Sequence, residues 1–181
     1  CFDVQKTEEL IKGNWSEETK NIYAANNSEF TVNHGLIGLC EGKKVDLIIG
    51  GPPCQAYSLV GRAVKSDNMV GDPRNYLYKL YIEVLKKYTP TMFVFENVPG
   101  LLTANGGQYF EDMKKAFKEA GYTIDHDVLN AKSFDVLQDR RRVILIGWKK
   151  DLQYKYPSFV EKVPAYNVAD LLSDLPKIQS G

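Results

Sequence analysis

The chain has 181 residues, of which 44% are hydrophobic and 12% aromatic, a composition typical of one soluble globular domain with a sizeable core. Its 23 basic and 23 acidic residues give a formal net charge of zero, and nothing in the sequence resembles a polybasic arm or an acidic tail. If the partner is nucleic acid, the positive surface must therefore be local or supplied elsewhere.

Cysteine usage and hydropathy indicate the cellular setting. Cys1, Cys40 and Cys54 are an odd number at scattered spacing, which does not form a disulfide framework and favours a reducing, cytoplasmic environment. No apolar run approaches the ~18 residues of a membrane span, and no charged-then-apolar leader opens the chain. Because the first residue is Cys1 rather than methionine, we expect the sequence to be a fragment.

In the first half of the chain, apolar β-rich runs alternate with helical patterns, which predicts an α/β fold with a largely parallel sheet. Ser16 is the predicted N-cap of a helix that continues to about Asn26. The run VDLII at 45–49 predicts a buried strand. Apolar residues then recur at helical spacing over 75–88 and predict an amphipathic helix that Thr89-Pro90 ends.

The second half continues the alternation with a buried strand at 92–96, written MFVFE. Phe110, Met113 and Phe117 line one face of the next predicted helix, with Gly121 as its C-cap. The segments YTIDHDVLN and RRVILIGW predict two more strands joined by the loop AKSFDVLQDR. After them, a proline-containing tail indicates a connector with a short helix near VADLLSDL. We find no internal repeat, which sets repeat architectures aside.

Four reactive or charged side chains stand where these strands end or begin: Cys54 in the loop GGPPCQ after VDLII, Glu96 at the end of MFVFE, and Arg140 and Arg142 at the opening of the last strand, RRVILIGW. In open α/β sheets, ligands bind in the crevice outside the carboxyl ends of the strands. A thiol and a carboxyl in one cleft can act as nucleophile and acid. The long polar loop over 58–73 is of the kind that is usually functional.

Simpler interpretations exist for each feature alone. Cys54 can be an inert loop thiol, Glu96 a helix cap, and the run at 138–142 a solvated basic surface, but their joint placement at strand ends favours a site. A buried, unpaired glutamate would cost several kcal/mol, so Glu96 predicts a partner such as an arginine. His34 and His126 are too isolated to predict a metal site.

The motifs GGPPCQAYS, FENVPGL and QDRRR occur in this order. They resemble the proline-cysteine-glutamine, glutamate-asparagine-valine and glutamine-x-arginine-x-arginine motifs of the DNA (cytosine-5) methyltransferases. GDPRNYLY and NAKSFDVLQDRRR resemble the segments that precede the second and third motifs. The resemblance extends from about Val45 to Gly147. It implies the Rossmann-like sheet of S-adenosylmethionine-dependent methyltransferases, double-stranded DNA as partner, and a restriction-modification role in the prokaryotic cytosol.

The resemblance also implies a mechanism. Cys54 attacks C6 of a cytosine that has been flipped out of the helix, and S-adenosylmethionine supplies the methyl group for C5. Glu96, protonated when it meets the base, bonds N3 and the exocyclic amine. Arg142 holds O2, and Arg140 steadies the cluster.

Further roles follow from the same resemblance. The residues implied to contact the cofactor are Trp15, Pro53 and Leu77. The residues implied to contact DNA are Gln55, Ser58, Arg74 and Asn97. For Asn97, bracing the Cys54 loop is the better interpretation. Pro52 and Pro53 hold the Cys54 thiol in place, because each proline fixes its backbone φ angle.

The chain also departs from the family pattern. The glycine-rich cofactor loop has no counterpart, and Asn14 stands where the family has an acidic residue for the cofactor ribose. We therefore expect residues 1–150 to form a partial catalytic core whose sheet lacks its first strand. Residues 151–181 are expected to be a connector toward an absent target-recognition domain, and a second polypeptide is one candidate source of the missing parts.

Three alternatives stay open. The substrate can be tRNA rather than DNA, since the recognition region decides that choice. The chain can also be a degenerate, non-catalytic scaffold or subunit of the same family. A thiol-redox protein is the least favoured, because no resolving cysteine lies near Cys54.

Overall fold

The structure, a computed structural model, describes residues 6–23, 43–52 and 77–176. The helices in this part of the chain are α1 Thr7–Lys12, α2 Glu17–Tyr23, α3 Leu77–Tyr88, α4 Gln108–Glu119 and α5 Val168–Leu171. The strands are β1 Leu47–Gly50, β2 Met92–Asn97, β3 Tyr122–Asn130 and β4 Arg141–Lys149. Short 3₁₀ turns cover Pro99–Leu102, Ala104–Gly107 and Ala131–Ser133.

The four described strands form one sheet in the order β1-β2-β4-β3. β1 and β2 are parallel, whereas β4 is antiparallel to both β2 and β3. The α/β class is thus confirmed, but the expectation of a largely parallel sheet is wrong for this part of the chain. The reason is that β3 and β4 are joined by a loop with one 3₁₀ turn and no crossover helix, and parallel pairing needs a crossover.

Helices α3 and α4 cover one face of the sheet through an aromatic core. Phe93 and Phe95 lie on the same face of β2 because side chains alternate along a strand, and both are almost fully buried. Phe117 of α4 packs against Phe93 with ring centroids 4.7 Å apart, and Tyr81 of α3 meets the Phe95 ring edge-on at 5.3 Å. Such aromatic contacts fix the two helices over β2.

The opposite face of β1 is more exposed than the sequence suggests. Leu47 and Ile49 are 49% and 70% exposed, so the prediction of a buried strand over 45–49 is wrong for these two side chains. They alternate with Ile48, which is half-buried and packs against the aromatic core. A continuous apolar run cannot reveal such alternation, because every position in it is hydrophobic.

The boundaries of several predicted elements are confirmed. The Ser16 hydroxyl caps α2 by accepting the backbone N–H of Thr19 at 3.3 Å, although the predicted end of this helix at Asn26 lies outside the described residues. Helix α4 ends at Glu119, and Ala120 is its C-cap. The predicted cap residue Gly121 follows directly, with φ of 96°. Glycine adopts this left-handed conformation without strain.

The segment after β4 packs back onto the sheet. The Tyr156 hydroxyl donates to the backbone carbonyl of Ile144 at 2.9 Å, and burial together with the nearby carboxylate of Asp127 raises the pKa of Tyr156 to about 12. The short helix expected near VADLLSDL is α5, which begins with a capping box between Asn167 and Asp170.

Tyr81 ties the parallel strands together. Its hydroxyl lies 3.2 Å from the carbonyl oxygen of Ile48 in β1 and 3.0 Å from that of Val94 in β2, and burial raises its pKa. We expect Tyr81→Phe to lower the free energy of unfolding by about 1–2 kcal/mol, because buried carbonyls lose a donor. Urea denaturation measures this loss. Tyr154→Phe at a half-exposed site is the control, and equal stability of both variants would contradict the assigned role of Tyr81.

Candidate active site

The carboxyl ends of β1 and β2 meet at one edge of the sheet. The two strands are parallel, with Gly50 paired to Phe95, so the following residues Gly51 and Glu96 are neighbours. A Cβ atom built on Gly51 would lie 2.8 Å from Oε2 of Glu96. Only a glycine lets the chain that leads toward Cys54 pass this close to the carboxylate.

Glu96 has an arginine partner, as its position at a strand end predicts. Nε of Arg142 lies 2.8 Å from Oε1 of Glu96. The two meet because β4 runs antiparallel to β2 with Glu96 paired to Ile144, which places the beginning of β4 beside the end of β2. The side chains are 24% exposed for Arg142 and 42% for Glu96, so the pair is accessible to a ligand.

The Arg142 guanidinium is oriented by a second contact. Nη1 donates to the backbone carbonyl of Arg141 at 2.7 Å. A guanidinium carries five N–H donors in a rigid plane, so fixing Nε and Nη1 leaves other donors directed along that plane. This arrangement can bind a carbonyl oxygen of a planar ligand.

Asn97 is almost fully buried at the end of β2. Its Oδ1 accepts the backbone N–H of Val98 at 2.9 Å, just before the 3₁₀ turn that begins at Pro99. This contact braces the end of β2, whereas the expected bracing of the Cys54 loop stays a prediction, because that loop lies outside the described residues.

Arg140 lies at the end of the loop before β4, with an exposed side chain. Its backbone N–H donates to Oδ1 of Asn130 at 3.1 Å. Sequence reasoning named Asn130 only as the first residue of a motif-like segment and assigned it no function. Its position at the end of a predicted strand, before a loop that leads to both arginine candidates, is the signal that could have identified it.

The residues expected to contact a cofactor occupy different surroundings. Leu77 is the half-buried first residue of α3. Since Tyr81, one turn later, bonds carbonyls in the middle of β1 and β2 and α3 leads back to the start of β2, Leu77 lies toward the carboxyl edge of the sheet. Trp15 follows α1 and is only 3% exposed, so its ring is buried rather than open to a ligand.

Several candidate residues lie outside the described residues. They are Pro53, Cys54, Gln55, Ser58 and Arg74, together with the loop over 58–73. Within 6–23, 43–52 and 77–176, no group of three or more histidine, cysteine or acidic side chains could hold a metal ion. The helices of these same ranges include none that is long and apolar enough to cross a membrane.

The geometry and motifs can be compared with known proteins. Residues 1–180 match the family model described as C-5 cytosine-specific DNA methylase. The chain belongs to this family. Membership agrees with the resemblance that the three ordered motifs carry, and members of a methyltransferase family use a methyl donor such as S-adenosylmethionine.

Curated relatives are similar over most of this chain. The type II methyltransferase M.Bpa9945I of Bacillus paralicheniformis is 44% identical over 147 residues, which cover 75% of this chain and 33% of the relative. The type II methyltransferase M1.HphI of Haemophilus parahaemolyticus is 39% identical over 142 residues, which cover 77% of this chain and 37% of the relative. The chain thus spans about a third of the length of these family members.

Solved structures agree on the fold. An E. coli prophage-encoded protein described as a DNA modification methyltransferase matches with a TM-score of 0.61 and 26% identity, over 90% of this chain and 47% of that one. The Entamoeba histolytica methyltransferase EhMeth matches with a TM-score of 0.51 and 18% identity, over 84% of this chain and 48% of that one. The second likeness concerns the fold alone. Together they confirm a Rossmann-like methyltransferase sheet that is incomplete in the described residues.

The contact at Gly51 yields a prediction for the family site. Gly51→Ala should displace the Glu96 carboxylate, because the new Cβ would meet Oε2 at 2.8 Å. The end of a flexible side chain can move at little cost, so we expect less than about 1 kcal/mol of lost stability but an activity about tenfold lower. Thermal unfolding measures the first effect, and single-turnover methylation, the activity proposed below, measures the second. Unchanged activity would show that Glu96 tolerates the displacement.

Proposed function

We propose that this chain is part of the catalytic core of an enzyme that transfers a methyl group from S-adenosylmethionine to C5 of cytosine in DNA, through a covalent bond between Cys54 and C6. The observation that carries the proposal is the ion pair between Glu96 and Arg142 beside Gly51. It places an acid and a guanidinium at the strand edge from which the chain continues to the cysteine.

Chain connectivity keeps the thiol near this pair. Cys54 follows Gly51 by three positions in the sequence. Three residues of fully extended chain span at most about 11 Å. A cytosine that contacts Glu96 and Arg142 is therefore within the range that the Cys54 side chain and its short tether can reach.

The thiolate is needed because cytosine C5 is a poor nucleophile. Attack of the Cys54 sulfur on C6 forms a C–S bond and shifts the C5–C6 double-bond electrons into the ring, while Glu96 supplies a proton to N3. C5 would then accept the methyl group of the donor, whose sulfonium C–S bond breaks to leave a neutral thioether, and N3 would return its proton to Glu96. Loss of the C5 proton to a base afterwards returns electrons to the C5–C6 bond and expels the Cys54 thiolate.

Arg142 is assigned to the O2 atom of the base. Its Nε and Nη1 groups are engaged by Glu96 and the Arg141 carbonyl, so Nη2 is the nitrogen with both hydrogens available among these contacts. Charge that develops on the ring during attack is stabilised by such a fixed donor. Arg140, at the end of the same loop, is assigned to steadying the cluster.

S-adenosylmethionine, when bound, supplies an electrophilic methyl group on a sulfonium centre. Leu77 fits contact with this donor, because it is half-buried and lies toward the edge where β1 and β2 end. Trp15, at 3% exposure, has no open ring face in this arrangement. Pro53 is assigned to the same contact by its family position. A second polypeptide is not supported by the comparisons.

Double-stranded DNA is the proposed substrate, with the target cytosine flipped out of the stack, and Gln55, Ser58 and Arg74 are assigned to its phosphates. The test is incubation of the chain with S-adenosylmethionine bearing a deuterated methyl group and with plasmid DNA or bulk tRNA. Mass spectrometry of the digested nucleosides identifies the product. We expect labelled 5-methyldeoxycytidine from DNA, and none with Cys54→Ala.

Each other labelling result would change the proposal in a specific way. Label in tRNA alone would replace DNA by tRNA as the substrate. Label on N4 of cytosine would contradict attack through C6. Absence of label from both nucleic acids would favour the non-catalytic scaffold and would count against the proposal.

A further inference from the structure

Asn130 joins the two ends of the loop that precedes the arginine motif. Its Oδ1 accepts the backbone N–H of Lys132 at 3.2 Å and that of Arg140 at 3.1 Å. Its Nδ2 donates to Oδ1 of Asp139 at 2.9 Å. The amide therefore uses its acceptor and its donor at once, which an alanine cannot do and an aspartate can do only in part.

The main chain closes the loop at the same place. The backbone N–H of Ala131 donates to the carbonyl of Arg140 at 3.0 Å, and Asn130 pairs with Arg141 as the last pair between β3 and β4. Arg142 is the next residue of β4. The side chain of Asn130 thus lies at the point that sets the register with which β4 begins.

Register matters here because side chains alternate between the two faces of a strand. A slip of one residue moves every side chain of β4 to the opposite face. Arg142 would then leave the face on which it meets Glu96, and the ion pair at 2.8 Å would be lost.

The part of the loop around Ser133 and Asp135 is held by separate contacts. The Lys162 backbone N–H donates to the Ser133 carbonyl at 2.7 Å, and the Lys162 carbonyl accepts the Asp135 N–H at 2.8 Å. The side chains of Lys162 and Asp135 also form an ion pair. Because Ser133 and Asp135 are fixed to Lys162 of the C-terminal segment, the contacts of Asn130 decide how the end of the loop at Arg140 enters β4.

We propose that Asn130 is a positioning residue that places Arg140 and Arg142 for the reaction, an inference that rests on the proposed function. It acts through the bond from its amide to Asp139 and through the backbone N–H of Arg140. It does not touch the reacting base.

The variant that tests this role is Asn130→Asp. It keeps the size and one acceptor of the side chain but sets a carboxylate against the carboxylate of Asp139. Adding Asp139→Asn exchanges the two groups and restores an amide-to-carboxylate bond, so the double variant should recover. Gln108→Glu is the matched control, because Gln108 on α4 donates to Asp112 at 2.8 Å far along the chain from the loop.

The first readout does not need catalysis. NMR of the 181-residue chain follows the Nε–H signal of Arg142 and the hydrogen exchange of the Arg140 amide. In Asn130→Asp we expect exchange about tenfold faster and a shifted Nε–H signal, with both restored in the double variant and unchanged in Gln108→Glu. Wild-type values in Asn130→Asp would overturn the proposal.

The second readout is the rate of covalent trapping on duplex DNA containing 5-fluorocytosine, whose C5 fluorine prevents the final elimination. We expect Asn130→Asp to trap about tenfold more slowly at saturating DNA and the double variant to recover to within about threefold. Altered exchange with a wild-type trapping rate would reduce Asn130 to a structural role. If the wild-type chain does not trap, the proposed function fails, while the NMR readout still decides whether Asn130 places Arg142.

Discussion

Replacing Arg142 with alanine is expected to slow trapping of 5-fluorocytosine DNA by about 10²- to 10³-fold. The substitution removes the donor assigned to O2 and also the partner that orients Glu96. Since the pair is partly exposed, its loss should cost only about 0.2–1 kcal/mol of stability. Trapping rates and thermal unfolding, measured on the same preparations, separate the two effects.

Two further substitutions sharpen this prediction. Arg142→Lys keeps the charge but lacks the rigid planar fork that contacts Glu96 and the Arg141 carbonyl while leaving a donor for O2, so we expect it to recover little of the rate. Arg141→Ala removes a neighbouring exposed guanidinium and should stay within about threefold of wild type, because a surface side chain away from the site has small effects. Equal rates for Arg142→Ala and Arg141→Ala would refute the assignment of O2 to Arg142.

Gly147→Ala is expected to produce the largest loss of stability, about 3 kcal/mol, at the upper end of the usual cost of overpacking a core. A Cβ at this position of β4 would lie 2.1 Å from Cε1 and 2.4 Å from Cζ of Phe93. The ring cannot retreat, because Phe117 and Tyr122 pack against it with centroids 4.7 and 5.2 Å away. The free energy of unfolding from urea titration measures the loss.

The control for this prediction is Gly106→Ala. Gly106 has φ of 64° and no heavy atom within 4 Å of a built Cβ, so alanine there should cost only about 1–2 kcal/mol from its backbone conformation. Replacing the Phe93 ring with a smaller side chain, in the double variant Gly147→Ala with Phe93→Leu, should recover part of the lost stability. If Gly147→Ala is no less stable than Gly106→Ala, the ring does not pack over the glycine as described.

Much of the fold follows from local pattern. The segment YTIDHDVLN is β3 from end to end, and RRVILIGW is β4 to within one residue, because β-rich apolar runs bounded by turns determine strand limits. Helices α3 and α4 follow from apolar residues at helical spacing. These elements are set by the chain's own periodicity, which a single sequence displays.

Pairing and exposure depend on contacts that the pattern does not contain. The loop after β3 decides whether β4 runs parallel or antiparallel to β2. The exposure of Ile49 depends on which other segments pack against its face of β1. Helix α1 was not predicted because its six residues are too few to show a clear period.

For the site, the sequence named the reactive groups but not all of their partners. Glu96 required an arginine, and the antiparallel register selects Arg142. The role of Asn130 required three distances that only a folded loop provides. The predicted positions of Cys54 and its neighbours stay predictions, since they lie outside the described residues.

The central claim is that Cys54 forms a covalent bond with cytosine at an edge built from Glu96 and Arg142. The most direct measurement is intact mass of the chain after incubation with S-adenosylmethionine and a pool of random-sequence duplexes carrying 5-fluorocytosine, followed by peptide mapping. We predict an adduct on Cys54 that requires S-adenosylmethionine and disappears in Cys54→Ala. An adduct that persists in Cys54→Ala, or no adduct with any duplex in the pool, would contradict the claim.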